Sequence, residues 1–266
     1  KKKEVVFPKS AHFSVMKACD LLGMKPIVVD LDEEYKMDVD LASKKIGKET
    51  AAVVVIAGTT ELGVIDPIEE LGELCNGIFL HVDAAFGGYV IPFLKDLGYE
   101  MPEFDFKVGE VSSIAMDAHK MGMATIPSGS ILMRSGEFLK TIVFRSPYLT
   151  WEEQCTLSGT RCSAAVASTY AAMKFLGREG YVKIVKDCMD ATSHLIKEAE
   201  GIGLEPAVKP IMNIVNLRLK NPAEVYRALT ELDWNTSLSQ NPPALRLVLM
   251  PHVTKKVIDE FMGDLE

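Results

Sequence analysis

The sequence predicts an α/β fold, in which a large, mostly parallel sheet carries helices on both faces and a smaller α/β domain follows. Residues 1–150 alternate short apolar runs with helical patterns, and Ala51–Ala57 has the composition of a fully buried strand. The C-terminal part repeats strand, helix, strand and helix. The chain has 266 residues, of which 48% are hydrophobic, so it can bury a sizeable core. We predict domains at 1–176 and 177–266.

The elements of the first domain follow from apolar runs and the residues that interrupt them. Pro8 ends the first strand, Gly23 stops the first helix, and Pro67 is expected in the first turn of its helix. The predicted strands are Glu4–Phe7, Pro26–Val29, Ala51–Ala57, Ile78–Leu80 and Val111–Met116, and the predicted helices are His12–Leu22, Val39–Ile46 and the segment from Pro67.

The later elements are predicted in the same way. An Ala-rich helix is expected over Leu157–Leu176, and the segment Phe175–Tyr181 breaks and restarts the helical pattern. An amphipathic helix follows over Tyr181–Ala199. The small domain then has predicted strands at Ile211–Leu219 and Leu245–Met250, and predicted helices at Pro222–Leu232 and Thr254–Met262.

Charge and cysteine content exclude several classes of partner. The net charge of −8 argues against nucleic acid or an anionic membrane as the main partner. No stretch reaches the ~20 unbroken apolar residues of a spanning helix, and no segment resembles a signal peptide. The five cysteines are scattered without a C-x-x-C pair, and the histidines are dispersed. We therefore expect a cytoplasmic protein with neither a disulfide framework nor a metal site.

Two segments carry the chemistry: His-Val-Asp-Ala-Ala-Phe-Gly-Gly (His81–Gly88) and Met-Asp-Ala-His-Lys-Met-Gly (Met116–Gly122). Each follows a predicted buried strand, so Asp83 and Lys120 should lie at the carboxyl edge of the sheet, where ligands of open α/β sheets bind. A lysine can form a Schiff base with an aldehyde, and a carboxylate can keep a pyridine nitrogen protonated. An acid and an amine placed together therefore suit a pyridine cofactor.

These segments resemble the pyridinium and Schiff-base motifs of the pyridoxal-phosphate enzymes of fold type I, particularly the group II amino-acid decarboxylases. The resemblance is closest to the archaeal-type L-tyrosine/L-aspartate decarboxylases, through Ala57–Gly63, Ser146–Thr150 and Met250–His252. It implies the cofactor pyridoxal 5'-phosphate, a small amino-acid substrate, decarboxylation of tyrosine to tyramine or of aspartate to β-alanine, and a homodimer.

The resemblance also implies the cofactor-binding residues. Lys120 would form the Schiff base, and Asp83 would face the ring nitrogen. His12, in Ala-His-Phe-Ser, would stack on the ring, although its residue type alone favours a surface histidine at a helix end. Thr60 would contact the phenolic-oxygen side of the cofactor or the substrate carboxylate, and a plain turn is the alternative. The further expected contacts are Ala85, His119 and Asp117, of which Asp117 would orient His119 or lie near the phosphate.

Two more residues match positions of catalytic importance in the family. Tyr148 corresponds to a loop tyrosine that supplies the proton replacing the departing CO₂, whereas packing at an interface is its alternative role. The resemblance implies that Arg246 holds the substrate α-carboxylate, and a guanidinium in an apolar strand does need an anion. An exposed strand face, or a structural partner such as Asp259 or Glu260, is the alternative for Arg246.

The family pattern also includes a phosphate-binding turn at a helix N-terminus, upstream of the position of His12. Because this turn is not in the sequence, we expect that the sequence begins within a longer protein. Two other functions remain open. The Asp-x-His-Lys segment followed by Pro127–Ser130 also resembles sphingosine-phosphate lyases, and a non-catalytic homologue could act as a structural subunit.

Overall fold

The computed structural model describes residues 2–148, 150 and 152–265. Its first part is built of short elements that alternate as predicted. In chain order these elements are β1 (Glu4–Pro8), α1 (Phe13–Leu22), β2 (Lys25–Val29), α2 (Val39–Lys45), β3 (Thr50–Ile56), α3 (Ile68–Glu73), β4 (Phe79–Asp83), a 3-10 turn (Gly87–Tyr89), α4 (Ile91–Asp96), β5 (Val111–Asp117), β6 (Gly129–Met133) and α5 (Gly136–Lys140).

Six strands form one sheet in the order β2-β1-β3-β4-β5-β6, and only β6 runs antiparallel to its neighbour. Alternate residues of β3 belong to different buried clusters. Val53 and Val55 face a core formed with α3, α4 and part of the later helix, whereas Val54 and Ile56 face α1 through Cys19. This alternation is the period of two expected for a strand buried on both faces. The predicted α/β fold with a mostly parallel sheet is therefore confirmed.

The second part of the chain contains one long helix and a small sheet. Its elements are β7 (Phe144–Arg145), β8 (Glu153–Gln154), α6 (Ser163–Gly201), β9 (Ile214–Leu217), α7 (Pro222–Glu231), β10 (Ser237–Gln240), β11 (Pro243–Val248) and α8 (Lys255–Leu265). The small sheet is antiparallel, in the order β10-β11-β9.

Several predicted boundaries were wrong. The long helix begins at Ser163 and not at Leu157, because Leu157 lies in a bend in which the Thr156 hydroxyl donates a hydrogen bond to the Ser158 carbonyl, 2.6 Å away. Pro67 precedes its helix as the N-cap residue rather than lying in the first turn. The strands β6 and β10 were not predicted, since neither has a long apolar run. The predicted helix break is found at Gly177, whose φ of 57° and ψ of −172° are not helical.

The long helix α6 packs against two cores in succession. Tyr181, Val185 and Cys188 belong to the core of the large sheet, and Leu195 and Ala199 belong to a second core with β9, β11 and α8. The helix therefore connects the two parts of the molecule through buried apolar contacts. The domain limits 1–176 and 177–266 stay a prediction.

Candidate active site

The carboxyl ends of β3, β4 and β5 meet at one edge of the large sheet. Ile56 of β3 is paired with Asp83 of β4, and Asp83 is paired with Ala115 of β5. The strand β5 ends at Asp117, and Lys120 follows in the next turn, where its backbone N–H donates to the Asp117 carbonyl over 3.1 Å. The crossover between β4 and β5 thus brings the two motifs side by side, which is the arrangement expected at such an edge.

A cavity of about 580 Å³ opens at this edge. We call it the cofactor cavity. Its walls include α1 and the ends of β3, β4 and β5. Six of the residues predicted from the sequence line it, namely His12, Thr60, Asp83, Ala85, Asp117 and Lys120. The tertiary structure therefore brings together residues that are up to 108 positions apart in the chain (120 − 12).

The Asp83 carboxylate is held by its own loop. Its Oδ1 accepts a hydrogen bond from the Ala85 N–H over 3.0 Å, and its carbonyl accepts one from the Ala57 N–H over 2.8 Å. Its Oδ2 receives no hydrogen bond from any residue that the structure describes. The carboxylate is therefore oriented through one oxygen and retains the other as an acceptor.

Lys120 contacts an acid, but this acid is Asp117 rather than Asp83. The Lys120 Nζ lies 2.9 Å from Asp117 Oδ2, and His119 Nε2 lies 3.6 Å from the same oxygen. His119 Nδ1 accepts a hydrogen bond from the Ser128 N–H over 3.1 Å, so the proton of the neutral ring is on Nε2, facing Asp117. His119 itself does not line the cofactor cavity. Asp117 thus orients the side chains of both His119 and Lys120.

Close backbone approaches shape the floor of the site. A side chain at Gly87 would overlap the Ala57 carbonyl oxygen, and a Cβ at Gly129 would lie 2.8 Å from Asp117 Oδ1. Gly58, at the end of β3, has a φ of 101°, which L side chains rarely adopt. The glycines therefore allow the three loops to pack closely around Asp83 and Asp117.

His12 and Thr60 form another part of the wall of the cofactor cavity. His12 precedes α1, and its Nδ1 is 2.8 Å from the Ser14 hydroxyl. Its ring centroid is 4.1 Å from that of Phe13. The Thr60 carbonyl accepts a hydrogen bond from Arg246 Nε over 2.7 Å, so a residue of the small sheet reaches this wall.

Arg246 is bonded to Thr60 and to Ser237, whose hydroxyl is 3.1 Å from Nη1. Burial lowers the pKa of its guanidinium, and the charge of Glu61 opposes that shift.

The suggested partners of Arg246, Asp259 and Glu260, were wrong, because Asp259 contacts His194 at 2.6 Å and Glu260 lies 3.6 Å from Lys256. Arg246 lines a second cavity of about 470 Å³ in the small domain and does not line the cofactor cavity.

Tyr148 is separated from the other candidates. Its side chain is 85% exposed and does not line the cofactor cavity. Leu149 of the same predicted motif lies outside the described residues. Tyr148 is thus not brought to the site within this single chain.

Sequence reasoning did not place His81 in the site. His81 lines the cofactor cavity, and its Nδ1 is 2.7 Å from the Ser113 hydroxyl on the neighbouring strand. Burial lowers the pKa of the imidazole, and the charge of Asp83 opposes this effect. The sequence could have predicted this position, because residues two apart in a strand share a face and Asp83, two residues after His81, was already assigned to the site.

Both the sequence and the fold are similar to those of known proteins. The family model described as the pyridoxal-dependent decarboxylase conserved domain matches residues 1–220. A probable L-tyrosine/L-aspartate decarboxylase of Methanosarcina barkeri is 51% identical over 265 residues, which are 98% of this chain and 66% of that protein. A protein of the same name from Methanothermobacter thermautotrophicus is 48% identical over 269 residues, covering 100% of this chain and 74% of that protein.

Among solved structures, a sphingosine-1-phosphate lyase of Burkholderia pseudomallei superposes with a TM-score of 0.90 and 28% identity. The match covers 99% of this chain and 62% of that one. The chain thus spans about two thirds of the length of the proteins it matches. No helix within residues 2–148, 150 and 152–265 combines the length and the apolar character needed to cross a membrane.

Proposed function

The chain belongs to the pyridoxal-dependent decarboxylase family, and we propose that it carries the catalytic lysine of an enzyme that removes the α-carboxylate of L-tyrosine or L-aspartate. The observation that supports this most strongly is the cofactor cavity, in which Lys120 and Asp83 are brought together from the ends of adjacent strands. Such a concave site with a few convergent polar groups is typical of cofactor binding.

The residues of the cavity fit pyridoxal phosphate. Asp83 retains an acceptor oxygen at Oδ2 that suits a protonated ring nitrogen, while Oδ1 is held by the Ala85 N–H. Lys120 would hold the cofactor through Nζ, and His12 and Thr60 would line its other side, with Ala85, Asp117 and His119 supporting the loops. When bound, the pyridine ring withdraws electrons from the carbon that loses its carboxylate.

Asp117 would act on the amine of Lys120. The amine must lose a proton before it can act as a nucleophile, and Asp117 Oδ2 lies 2.9 Å from Nζ. The proton would therefore pass from Nζ to this oxygen. His119, held by the Ser128 N–H, faces the same oxygen at 3.6 Å and would keep the Asp117 carboxylate in position beside Nζ.

Arg246 would bind the α-carboxylate of the substrate. Its guanidinium is half-buried and bonded to a carbonyl and a hydroxyl, neither of which neutralises its charge. Its Nε is 2.7 Å from the carbonyl of Thr60, a residue of the cofactor cavity. A carboxylate bound at this arginine would therefore lie at the junction of the small sheet with the cavity.

Tyr148 is the proposed donor of the proton that replaces CO₂. Since its side chain is exposed and outside the cavity of its own chain, we propose that it acts in a homodimer, at the site of the second subunit. Exposed apolar side chains on the first half of α6 and on β7 support such an assembly.

All five cysteines are free thiols, which supports a reducing cytoplasm as the compartment.

A carbon–carbon lyase acting on a phosphorylated amino alcohol is the second candidate. The superposition on a sphingosine-1-phosphate lyase, with a TM-score of 0.90 and 28% identity, supports it. The tyrosine/aspartate decarboxylase of Methanosarcina barkeri is more similar at 51% identity, so decarboxylation is favoured.

The proposal is tested by CO₂ release from each of the twenty amino acids, with the protein supplied with pyridoxal phosphate. We expect release from tyrosine or aspartate, and a loss of at least about 10⁴-fold in Lys120→Ala. Lys140→Ala is a matched control, because Lys140 also pairs with an acid three residues earlier, Glu137, but at the surface. Release of an aldehyde from a sphingoid phosphate would favour the lyase, and a protein that neither binds cofactor nor turns over a substrate would be a non-catalytic homologue.

A further inference from the structure

A smaller cavity of about 400 Å³ lies beside the cofactor cavity and shares His12 and Thr60 with it. We call it the side-chain cavity. Ala11, Leu31 and Leu62 are among its apolar lining residues, and Glu61 is among the polar ones. A molecule bound in the cofactor cavity that extends past His12 and Thr60 therefore enters a space with apolar walls and a carboxylate.

Glu61 is held in place by the small domain. Its Oε2 accepts hydrogen bonds from the backbone N–H groups of Gln240 and Asn241, over 3.0 Å and 3.5 Å. Its carbonyl accepts one from Asn216 Nδ2 over 3.1 Å. No hydrogen bond reaches its Oε1 from the residues described. The carboxylate is thus fixed through one oxygen, and the other is available to a ligand.

The charges around this cavity disfavour a second acidic group. Apart from the His12 imidazole, Lys9 is the cation among the described lining residues, and its Nζ lies 3.7 Å from Asp30. Arg246 is nearby, but the proposed function assigns it to the α-carboxylate. A side-chain carboxylate placed here would therefore meet Glu61 without a free counter-ion, whereas a phenol O–H would find an acceptor.

We propose that Glu61 determines the specificity of the enzyme, accepting a hydrogen bond from the phenolic hydroxyl of a tyrosine-like substrate and repelling acidic side chains. This rests on the proposed function, because it places the substrate α-carbon in the cofactor cavity. The ring packs between the apolar walls, and the hydroxyl donates to Glu61 Oε1.

Glu61→Gln tests this assignment with little change of shape. The amide oxygen can still accept from the Gln240 and Asn241 N–H groups, which leaves an NH₂ group facing the cavity, where a phenol needs an acceptor. We expect the ratio of kcat/KM for L-tyrosine to that for L-phenylalanine to fall by about 10-fold or more, as for the loss of a hydrogen bond to a charged group. The kcat/KM for L-aspartate should rise. Glu69→Gln, an exposed position, is the matched control and should leave all three values unchanged.

The ratio separates specificity from folding, since a misfolded fraction lowers turnover of tyrosine and phenylalanine equally. An unchanged ratio in Glu61→Gln, or a wild-type preference for aspartate over tyrosine, would overturn the assignment.

Binding of tyramine and of phenethylamine, measured by calorimetry, gives a readout that needs no turnover. The wild-type protein should bind tyramine more tightly, and Glu61→Gln should bind the two amines alike. If no amino acid is decarboxylated, the proposed function fails, and the amine comparison still decides the role of Glu61. Equal binding of both amines by the wild type, or binding of neither, would refute the role proposed for Glu61.

Discussion

At the scale of single residues, we propose two roles for Asp83 that can be separated. Its Oδ1 fixes the turn by accepting the Ala85 N–H, and its Oδ2 faces no donor in the described part of the chain. The first role needs only an oxygen, whereas the second needs a negative charge that keeps a ring nitrogen protonated. An asparagine preserves the first role and removes the second.

We therefore predict that Asp83→Asn folds normally but loses about 10²- to 10³-fold in kcat, as for the loss of one electrostatic contact to the reacting system. Cofactor should still be attached to Lys120, which borohydride reduction followed by mass spectrometry measures. Asp105→Asn is the matched control, because Asp105 Oδ1 also accepts an N–H two residues later, over 2.8 Å, in an exposed loop. A wild-type rate in Asp83→Asn would contradict the assigned role.

At the scale of elements, Asp66 connects the segment before α2 to β3. It is buried, and its two oxygens accept the N–H groups of Met37 and Ile56, each over 2.8 Å. Burial raises the pKa of this carboxyl from 3.8 to about 6, against the opposing effect of these two hydrogen bonds. The contact between the segment before α2 and the end of β3 therefore depends on a buried acid.

This acid predicts a pH dependence of stability. Between about pH 4 and pH 6 the folded protein binds more protons at Asp66 than the unfolded chain does, so its contribution to the free energy of unfolding falls as the pH rises. The total change from this group is of the order of 3 kcal/mol. Urea unfolding at several pH values should show the fall in the wild type and in Asp105→Asn, and its loss in Asp66→Asn. An identical slope in Asp66→Asn would rule out Asp66 as its source.

The 3-10 turn after β4 depends on a close approach of two backbones. A methyl group at Gly87 would overlap the Ala57 carbonyl oxygen at the end of β3, so one of the two loops must move. We predict that Gly87→Ala lowers the free energy of unfolding by about 1–3 kcal/mol and weakens cofactor binding. Gly136→Ala, where no atom lies within 4 Å of the added methyl group, should do neither. Denaturant unfolding and cofactor titration measure both effects.

At the scale of the whole molecule, the first half of α6 carries an unpaired apolar stripe. Val166, Tyr170 and Met173 recur at helical spacing and are exposed, with Tyr170 at 67%. The second half of the same helix is buried in the two cores. Because this helix is well packed along one half and apolar but exposed along the other, we propose that the stripe is an interface with a second chain.

We predict a dimer that Val166→Lys with Tyr170→Lys converts into a monomer, because two charges would have to be buried in the contact. Sedimentation velocity should then show half the mass. Ala171→Lys, also exposed on this helix, is the control and should leave the dimer intact. If the double variant keeps the wild-type mass, the stripe is not the interface.

The sequence was most informative where local pattern and chemistry agree. Apolar runs identified the parallel strands, because a strand that is buried on both faces consists almost entirely of apolar residues. The motifs around Asp83 and Lys120 identified the edge at which the site lies. The strands β6 and β10 were missed, since antiparallel edge strands are stabilised by their neighbours more than by their own composition.

The sequence by itself determined the α/β class, the family and six of the residues that line the cofactor cavity, but not His81. Only the tertiary structure decided that Lys120 contacts Asp117, that Arg246 reaches Thr60 from the small domain, and that Glu61 is fixed by the turn at Gln240. The physical reason is that strand burial and loop chemistry are local properties of the chain. A hydrogen bond between side chains far apart in sequence depends instead on how the two cores pack against each other.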